Sequence, residues 1–503
     1  MKCHTRYTIP FVILSAALIQ GALARGFAPA PTEVLEYITA HNEEWGKELC
    51  DLVNIPSISA LPAHALQVDS AAKWVTNLMS SIGLRNVGIF RTSLHHPTTY
   101  GEWLLAPNAP TALIYGHYDV QPVDPLDLWD SDPFKCERRD GVYTGRGVAD
   151  DKGSGILPAL HAIQAVLSAT GTLPINVKVL IEGAEEIGSP GMKGWIEAHK
   201  EMLKCDFVIS ADGSQVAVDQ PGLVLGLRGM ASMGFTLTTA STDLHSGLFG
   251  GAVQNPLRAM AQLISSLHSP QGKIQVDGFL DDVKDLSASE LVDYKRFEEL
   301  VDVKGELAKV GVDEPFGEEG HSILEQRWSR PTIEVVGMWG GFMGDGIKTV
   351  LPREAHAKLA MRLVPYQKVE LVTDAVKQHL MSFLPPSCNL TFDFVSKGSE
   401  AYLANKDGYW MAAASATLKH VMGAEPVYYR MGGSIPAVAH FKEILDVDTI
   451  FMAFDVPDQN IHAPNEFMRE GLYEMAHEAF AHLLFEVKAA YAETVPTTER
   501  AEL

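Results

Sequence analysis

Residues 111–122, TALIYGHYDVQP, restrict most what this chain can fold into. Residues 112–115 form a short apolar run that breaks at Gly116 and then presents His117 and Asp119. A run of that length, ended by glycine and polar residues, predicts a buried strand, and open α/β sheets place ligand sites at the carboxyl edge of such strands. A His-x-Asp pair there suits metal chemistry: the imidazole is a ligand and the carboxylate orients the ring. One such pair is weak evidence, but further strand ends repeat it.

Residues 176–181 predict a second strand, followed by Glu185 and Glu186. Adjacent carboxylates in a cleft are costly unless a cation or a proton sits between them. A third strand, 207–210, leads to Asp212, and a fourth, 448–454, leads towards His462 just before a helix. Asp150 and Asp151 end the run GRGVADDKG and enter an apolar helix over 156–167, where plain capping of free N–H groups is the alternative role. Any one of these residues has an ordinary explanation as a cap, a turn residue or a satisfied polar side chain. His117, Asp150, Glu186, Asp212 and His462 together form a set of two imidazoles and three carboxylates, which suits two zinc ions with one bridging carboxylate. Glu185, beside a ligand, is then free as a general base.

The rest of the chain frames that set. Helices are expected over 32–53 and 68–82, with a loop over 93–100, and a hinge over 222–229. A strand over 231–239, the run DLHSG containing His245, and a helix capped by Asn255 with Pro256 at its first position follow. Residues 273–330 are mostly charged helical segments, and strands are expected over 331–336 and 355–364, the latter with Arg362 on its polar face. From about residue 394 the α/β character returns. The fold class is therefore α/β: a mixed-sheet catalytic domain over 33–224 and 395–490, interrupted by an inserted α+β domain over 225–394.

A net charge of −23 argues against nucleic-acid or anionic-membrane partners. Residues 1–24 have the form of a secretory signal peptide, with Lys2 and Arg6, an apolar run over 9–19, and Ala22-Leu23-Ala24. The Phe27-Ala28-Pro29 that follows resembles the start of bipartite plastid signals of some algae. The expected location is secreted or lumenal, with the plastid as the alternative and no membrane association once the leader is removed. Cys3 leaves with the leader; Cys50, Cys136, Cys205 and Cys388 lack metal-type spacing and are free to pair in an oxidising compartment. Asn389-Leu390-Thr391 is a glycosylation sequon. His95, His96, His161, His420 and His440 are expected to be surface or core residues.

The motifs GHYDVQP, GRGVADDKG, EGAEEIGSPG, SADG, DLHSGLFGG, KTVLPREA, RLVP, GGSIP and NIHAPNE occur in this order. In this the chain resembles the dinuclear-zinc family of aminoacylases, carboxypeptidases and dipeptidases, closest to its carnosinase and cytosolic non-specific dipeptidase branch, over about residues 33–488. The resemblance implies a zinc-exopeptidase catalytic domain with an inserted lid and dimerisation domain. His117, Asp150 and Asp212 would hold one zinc and Asp150, Glu186 and His462 the other, with manganese as a possible substitute. A cis peptide is implied between Asp150 and Asp151, Asp119 as the group orienting His117, and Glu185 as the base. It also implies a homodimer in which His245 reaches the partner's site to stabilise the oxyanion, and Arg362, Gly433 and Ser434 as contacts of the substrate's terminal carboxylate. After Asp212 the chain reads Gly-Ser-Gln, where the animal dipeptidases carry an Asn-Tyr-Trp type of sequence, which leaves the substrate open. The expected activity is amide hydrolysis of dipeptides or short peptides by attack of a metal-bridged water. N-acyl-amino-acid deacylation is the alternative, and a non-catalytic receptor or scaffold the distant one.

Overall fold

The computed structural model describes residues 26–91, 96–396 and 398–495. The expected signal peptide, Cys3 and His95 lie outside the described residues. The described residues divide into two compact units, one of residues 26–225, 404–428 and 440–495, the other of 226–403 and 429–439.

The first unit is built on a six-stranded mixed sheet. Its spatial order is Arg85–Phe90, Thr98–Trp103, Asn176–Glu182, Thr111–His117, Phe207–Ser210 and Thr449–Phe451. The last four strands are mutually parallel and the first two antiparallel. The central strands are buried nearly throughout, as near-continuous apolar runs require. Helices Thr32–Val53, Leu157–Thr170 and Glu470–Thr494 share one core with this sheet. Because the parallel strands point the same way, their carboxyl ends deliver His117, Glu185, Glu186 and Asp212 to one edge. A small antiparallel sheet, Phe467–Arg469 against Val142–Thr144 against Glu137–Arg139, brings the segment after His462 beside the one leading to Asp150. Cys50 and Cys136 form a disulfide, while Cys205 and Cys388 are free thiols.

The second unit is an antiparallel sheet in the order Thr332–Gly340, Glu354–Leu363, Gly229–Thr238, Asn389–Val395. Helices Pro256–Ser266 and Val369–Ser382 cover one face through Met260, Leu263, Val376 and Leu380, which meet Phe235, Leu237, Leu359 and Met361. The alternation along Glu354–Leu363 is as expected, with Ala355, Ala357, Leu359, Met361 and Leu363 buried. Asn255 caps its helix through bonds from the N–H groups of Leu257 (2.9 Å) and Arg258 (3.3 Å).

Three expectations change. Gly222–Leu227, expected as a hinge, is a fully buried strand: glycines frame an apolar run that sheet packing holds extended. Thr98–Trp103, expected partly as loop, is a strand held by antiparallel pairing on both sides, with Thr99 Oγ1 donating to Ile181 O (3.0 Å) on the neighbouring strand. The second unit extends to Leu403 and takes in Tyr429–Ala439, so Gly433 and Ser434 fall in it and not in the 395–490 segment expected for the catalytic domain. The reason is local bonding: Arg228 donates its N–H to Gly433 O (3.1 Å) and Arg430 pairs with Glu290.

Candidate metal centre and active site

His117 ends its strand with a ring that is 1% exposed. Its Nδ1 lies 3.1 Å from Asp119 O and 3.5 Å from Asp119 Oδ1, so that side of the ring is anchored and Nε2 points the other way. The Asp119 carboxylate does a second job, accepting the N–H groups of Glu185 (3.1 Å) and Glu186 (3.2 Å). One buried residue, through its backbone oxygen and its carboxylate, thus orients a histidine and sets the turn that presents both glutamates. Gly116 is required by close packing: a Cβ there would lie 2.4 Å from Ile156 Cγ2 and 2.5 Å from Asp151 Oδ2.

Asp150 sits where the helical path into Leu157–Thr170 is broken (φ −105°, ψ 102°), and its bond to Asp151 is cis. Its two carboxylate oxygens face in different directions. Oδ1 is 3.0 Å from His117 Nε2, and Oδ2 is 2.9 Å from His462 Nε2. Glu186 Oε2 lies 3.3 Å from His462 Nε2 and accepts Gln121 Nε2 at 2.8 Å. Asp212 Oδ2 is 4.0 Å from His117 Nε2. The possible ligand atoms fall into two groups, His117 with Glu185 and Asp212, and Asp150 with Glu186 and His462, each within 4.8 Å. The fold therefore brings together every expected metal ligand, and it sets Glu185 against the first group.

Charge explains what this cluster needs. Four carboxylates, of Asp150, Glu185, Glu186 and Asp212, are gathered with two imidazoles, which pair with Asp150, Asp212 and Glu186. Burial pushes Glu185 and Glu186 above the usual carboxylate range and Asp212 up to about 7. Burial opposes ionisation of Asp150 too, but the hydrogen bonds of His117 and His462 outweigh it and hold that carboxyl low. The same bonds, from Asp150 and then Glu186, raise His462 to about 10. Without a cation the site takes up protons instead. Its donor set, imidazole nitrogens and carboxylate oxygens in two groups around a shared aspartate, fits two divalent ions.

The sequence reading did not single out Gln121, Arg146 or Glu466, although each lies in a motif it quoted. In the second unit, Arg362 Nη1 donates to Ser434 Oγ (2.7 Å), and that hydroxyl donates to Arg228 O (2.5 Å). Arg362, Gly433 and Ser434 are thus brought together. His245 is exposed, beginning a short turn, and its Nδ1 accepts the N–H of Gly247 (3.1 Å).

Residues 113–486 match the model of Peptidase family M20/M25/M40. The chain belongs to this family. It is 31% identical over 448 residues to the Cys-Gly metallodipeptidase dug1 of Schizosaccharomyces pombe, covering 86% of this chain and 93% of that one. To the Beta-Ala-His dipeptidase of Homo sapiens it is 28% identical over 487 residues, covering 92% and 96%. Among solved structures, the M20 family metallo-carboxypeptidase Sso-CP2 of Sulfolobus solfataricus matches with a TM-score of 0.79 and 30% identity, over 88% of this chain and 98% of that one. The M20 fold, with its mixed sheet and a second α+β unit, is the one expected from the motifs.

Proposed function

We propose that this M20 peptidase is a di-zinc metallodipeptidase that hydrolyses the amide bond of dipeptides or short peptides. The observation that carries the reading is Asp150, whose two oxygens lie 3.0 and 2.9 Å from the inward nitrogens of His117 and His462. His117, Asp150 and Asp212 would hold one zinc or manganese ion and Asp150, Glu186 and His462 the other. Such ions supply Lewis acidity towards an amide carbonyl and make water a stronger acid. Glu185 takes the proton of the attacking water and delivers it to the leaving amine. Asp119 fixes the His117 ring and the glutamate turn, so the base and the ligands move as one unit. The relatives' names, Cys-Gly metallodipeptidase and Beta-Ala-His dipeptidase, support a dipeptide substrate.

Arg362, Gly433 and Ser434 would hold the substrate's terminal carboxylate, the guanidinium offering paired N–H donors. His245 would donate to the developing oxyanion in a partner subunit. Its Nδ1 is occupied by the Gly247 N–H, which leaves the proton on Nε2, the donor such a role needs. A homodimer is further supported by the edge strand Thr332–Gly340, which exposes Val335, Val336, Met338 and Trp339. The Cys50–Cys136 disulfide supports a secreted or lumenal location over a reducing one. Finding the native chain in the cytosol with Cys50 reduced would overturn that placement.

The test is hydrolysis by the zinc-loaded mature chain of dipeptides and matched N-acetyl amino acids side by side. Dipeptide turnover is expected, and Glu185→Gln should lower it by about 10²–10⁴-fold. Turnover of the acetyl amino acids alone would move the function to a deacylase, and turnover of neither with zinc bound would overturn both.

A further inference from the structure

Glu466 belongs to neither ligand group, yet its carboxylate accepts four hydrogen bonds beside them. It is 1% exposed, as is its partner Arg146. Oε1 accepts the N–H groups of Ala149 (3.0 Å) and Asp150 (3.1 Å). Oε2 accepts the N–H of Gly147 (2.9 Å) and Nη1 of Arg146 (2.8 Å). All four lone-pair positions of the carboxylate are therefore used. Its backbone oxygen accepts one more donor, the N–H of Gly145 at 3.0 Å. A single glutamate thus fastens the whole run from Gly145 to Asp150.

Two other ligand-bearing segments meet the same pair. Four residues before Glu466 is His462, in a loop where Asn460, His462 and Asn465 all have positive φ (56°, 62° and 61°). Non-glycine residues hold that conformation only where their surroundings impose it. Here the imposing contacts are Asn460 Nδ2 to Asn465 O (3.1 Å), the N–H of Asp130 to Asn465 Oδ1 (2.8 Å), Asn465 Nδ2 to Leu128 O (3.2 Å), and the buried Glu466 itself. Arg146 Nη2 reaches Pro122 O (3.3 Å), next to the Gln121 that bonds Glu186. The segments carrying His117, Asp150 and His462 thus converge on one ion pair that contributes no ligand.

We propose that the buried Arg146–Glu466 pair is a positioning clamp that sets the spacing of Asp150 and His462, and through them the affinity and geometry of the metal centre. The inference rests on the metal-centre reading above. Buried ion pairs often stabilise a fold no better than apolar residues of the same shape, so stability alone is a poor reason for this one. Geometry is a better reason, because groups behind metal ligands fix where those ligands point. The charge also matters. A glutamine at 466 would set an NH₂ group against the N–H of Gly147 and the guanidinium of Arg146, donor against donor.

The test compares the full-length wild type with Glu466→Gln, Glu466→Asp and Arg146→Lys. Three quantities are read: retention of metal against a chelator, the visible spectrum of the cobalt(II)-substituted protein, and kcat and KM separately on a dipeptide. Glu466→Gln should weaken metal retention and lower kcat by about 10–100-fold, with KM little changed and an altered cobalt spectrum. Glu466→Asp, which keeps the charge, should recover part of the loss. If Glu466→Gln does not fold, Arg146→Lys carries the comparison, since it keeps both charges and loses the fork to Pro122. Folded variants with wild-type retention, spectrum and kcat, differing only in melting temperature, would reduce the pair to a brace of the fold and overturn the proposal. Failure of the wild type itself to bind two ions would instead overturn the metal-centre reading.

Discussion

In the proposed chemistry Glu185 is the base and Glu186 a metal ligand, and a single oxygen-to-nitrogen change in each tells the two roles apart. Glu185 lies with His117 and Asp212 in one potential ligand group, so geometry alone leaves it two parts to play. If it is the base, Glu185→Gln keeps two metal ions per chain and loses turnover. If it is a ligand, metal content falls as well. We expect retention of both ions for Glu185→Gln and loss of one equivalent for Glu186→Gln, because Glu186 shares the second group with Asp150 and His462. Metal analysis after gel filtration distinguishes the two outcomes. Nearly all of these residues were legible in the sequence, because each stands just past a buried apolar run or at a helix start, where a lone carboxylate or imidazole is conspicuous. Glu466 was not. Its side-chain partners lie 316–320 positions away in sequence, and nothing local in Asn465-Glu466 tells a carboxylate with four bonds from a surface glutamate.

Among elements, the strongly periodic ones were legible: Thr32–Val53, Phe207–Ser210 and the capped helix Pro256–Ser266 occur where apolar spacing and caps put them. Two strands paired on both sides were not. Thr98–Trp103 and Gly222–Leu227 carry glycines and short runs whose extended state is decided by partners far along the chain. The C-terminal helix Glu470–Thr494 adds a property that sequence does not display. His482, 3% exposed, accepts the N–H of Ala30 through Nδ1 (2.9 Å), and Phe27 lies against both His482 (5.6 Å) and His420 (4.3 Å). Glu486 on the same helix accepts the N–H of Ala28 (2.8 Å). Burial, and then the nearby His420, depress His482 to about 4. A histidine in the unfolded chain titrates near 6.5. Between about pH 6.5 and about pH 4 the unfolded chain therefore binds a proton that the native one refuses, and stability falls as pH falls; above about 6.5 this group contributes no slope. His482→Gln keeps an acceptor for Ala30 and removes the titration. Its loss of melting temperature between about pH 7.5 and about pH 5 should be smaller than that of the wild type, and equal losses would show that the segment holding Phe27 is not governed by this ring.

For the whole molecule the central expectation is that one copy of the chain is incomplete. His245 lies in the second unit, and the metal ligands and Glu185 in the first. If His245 serves the partner's site, Glu185→Gln and His245→Ala are each inactive as pure homodimers for different reasons, and in a mixed dimer both defects fall in the same active site. One site of that dimer then has an intact base from one subunit and an intact histidine from the other. After the two variants are mixed and allowed to exchange subunits, about a quarter of wild-type activity should return, since half of the dimers are mixed and one of their two sites is whole. A charge placed on the exposed edge, as in Val336→Glu, should prevent this recovery and shift the sedimentation of the wild-type background towards the monomer. No recovery in mixtures shown by sedimentation to contain the mixed dimer would mean that His245 acts within its own subunit or not at all.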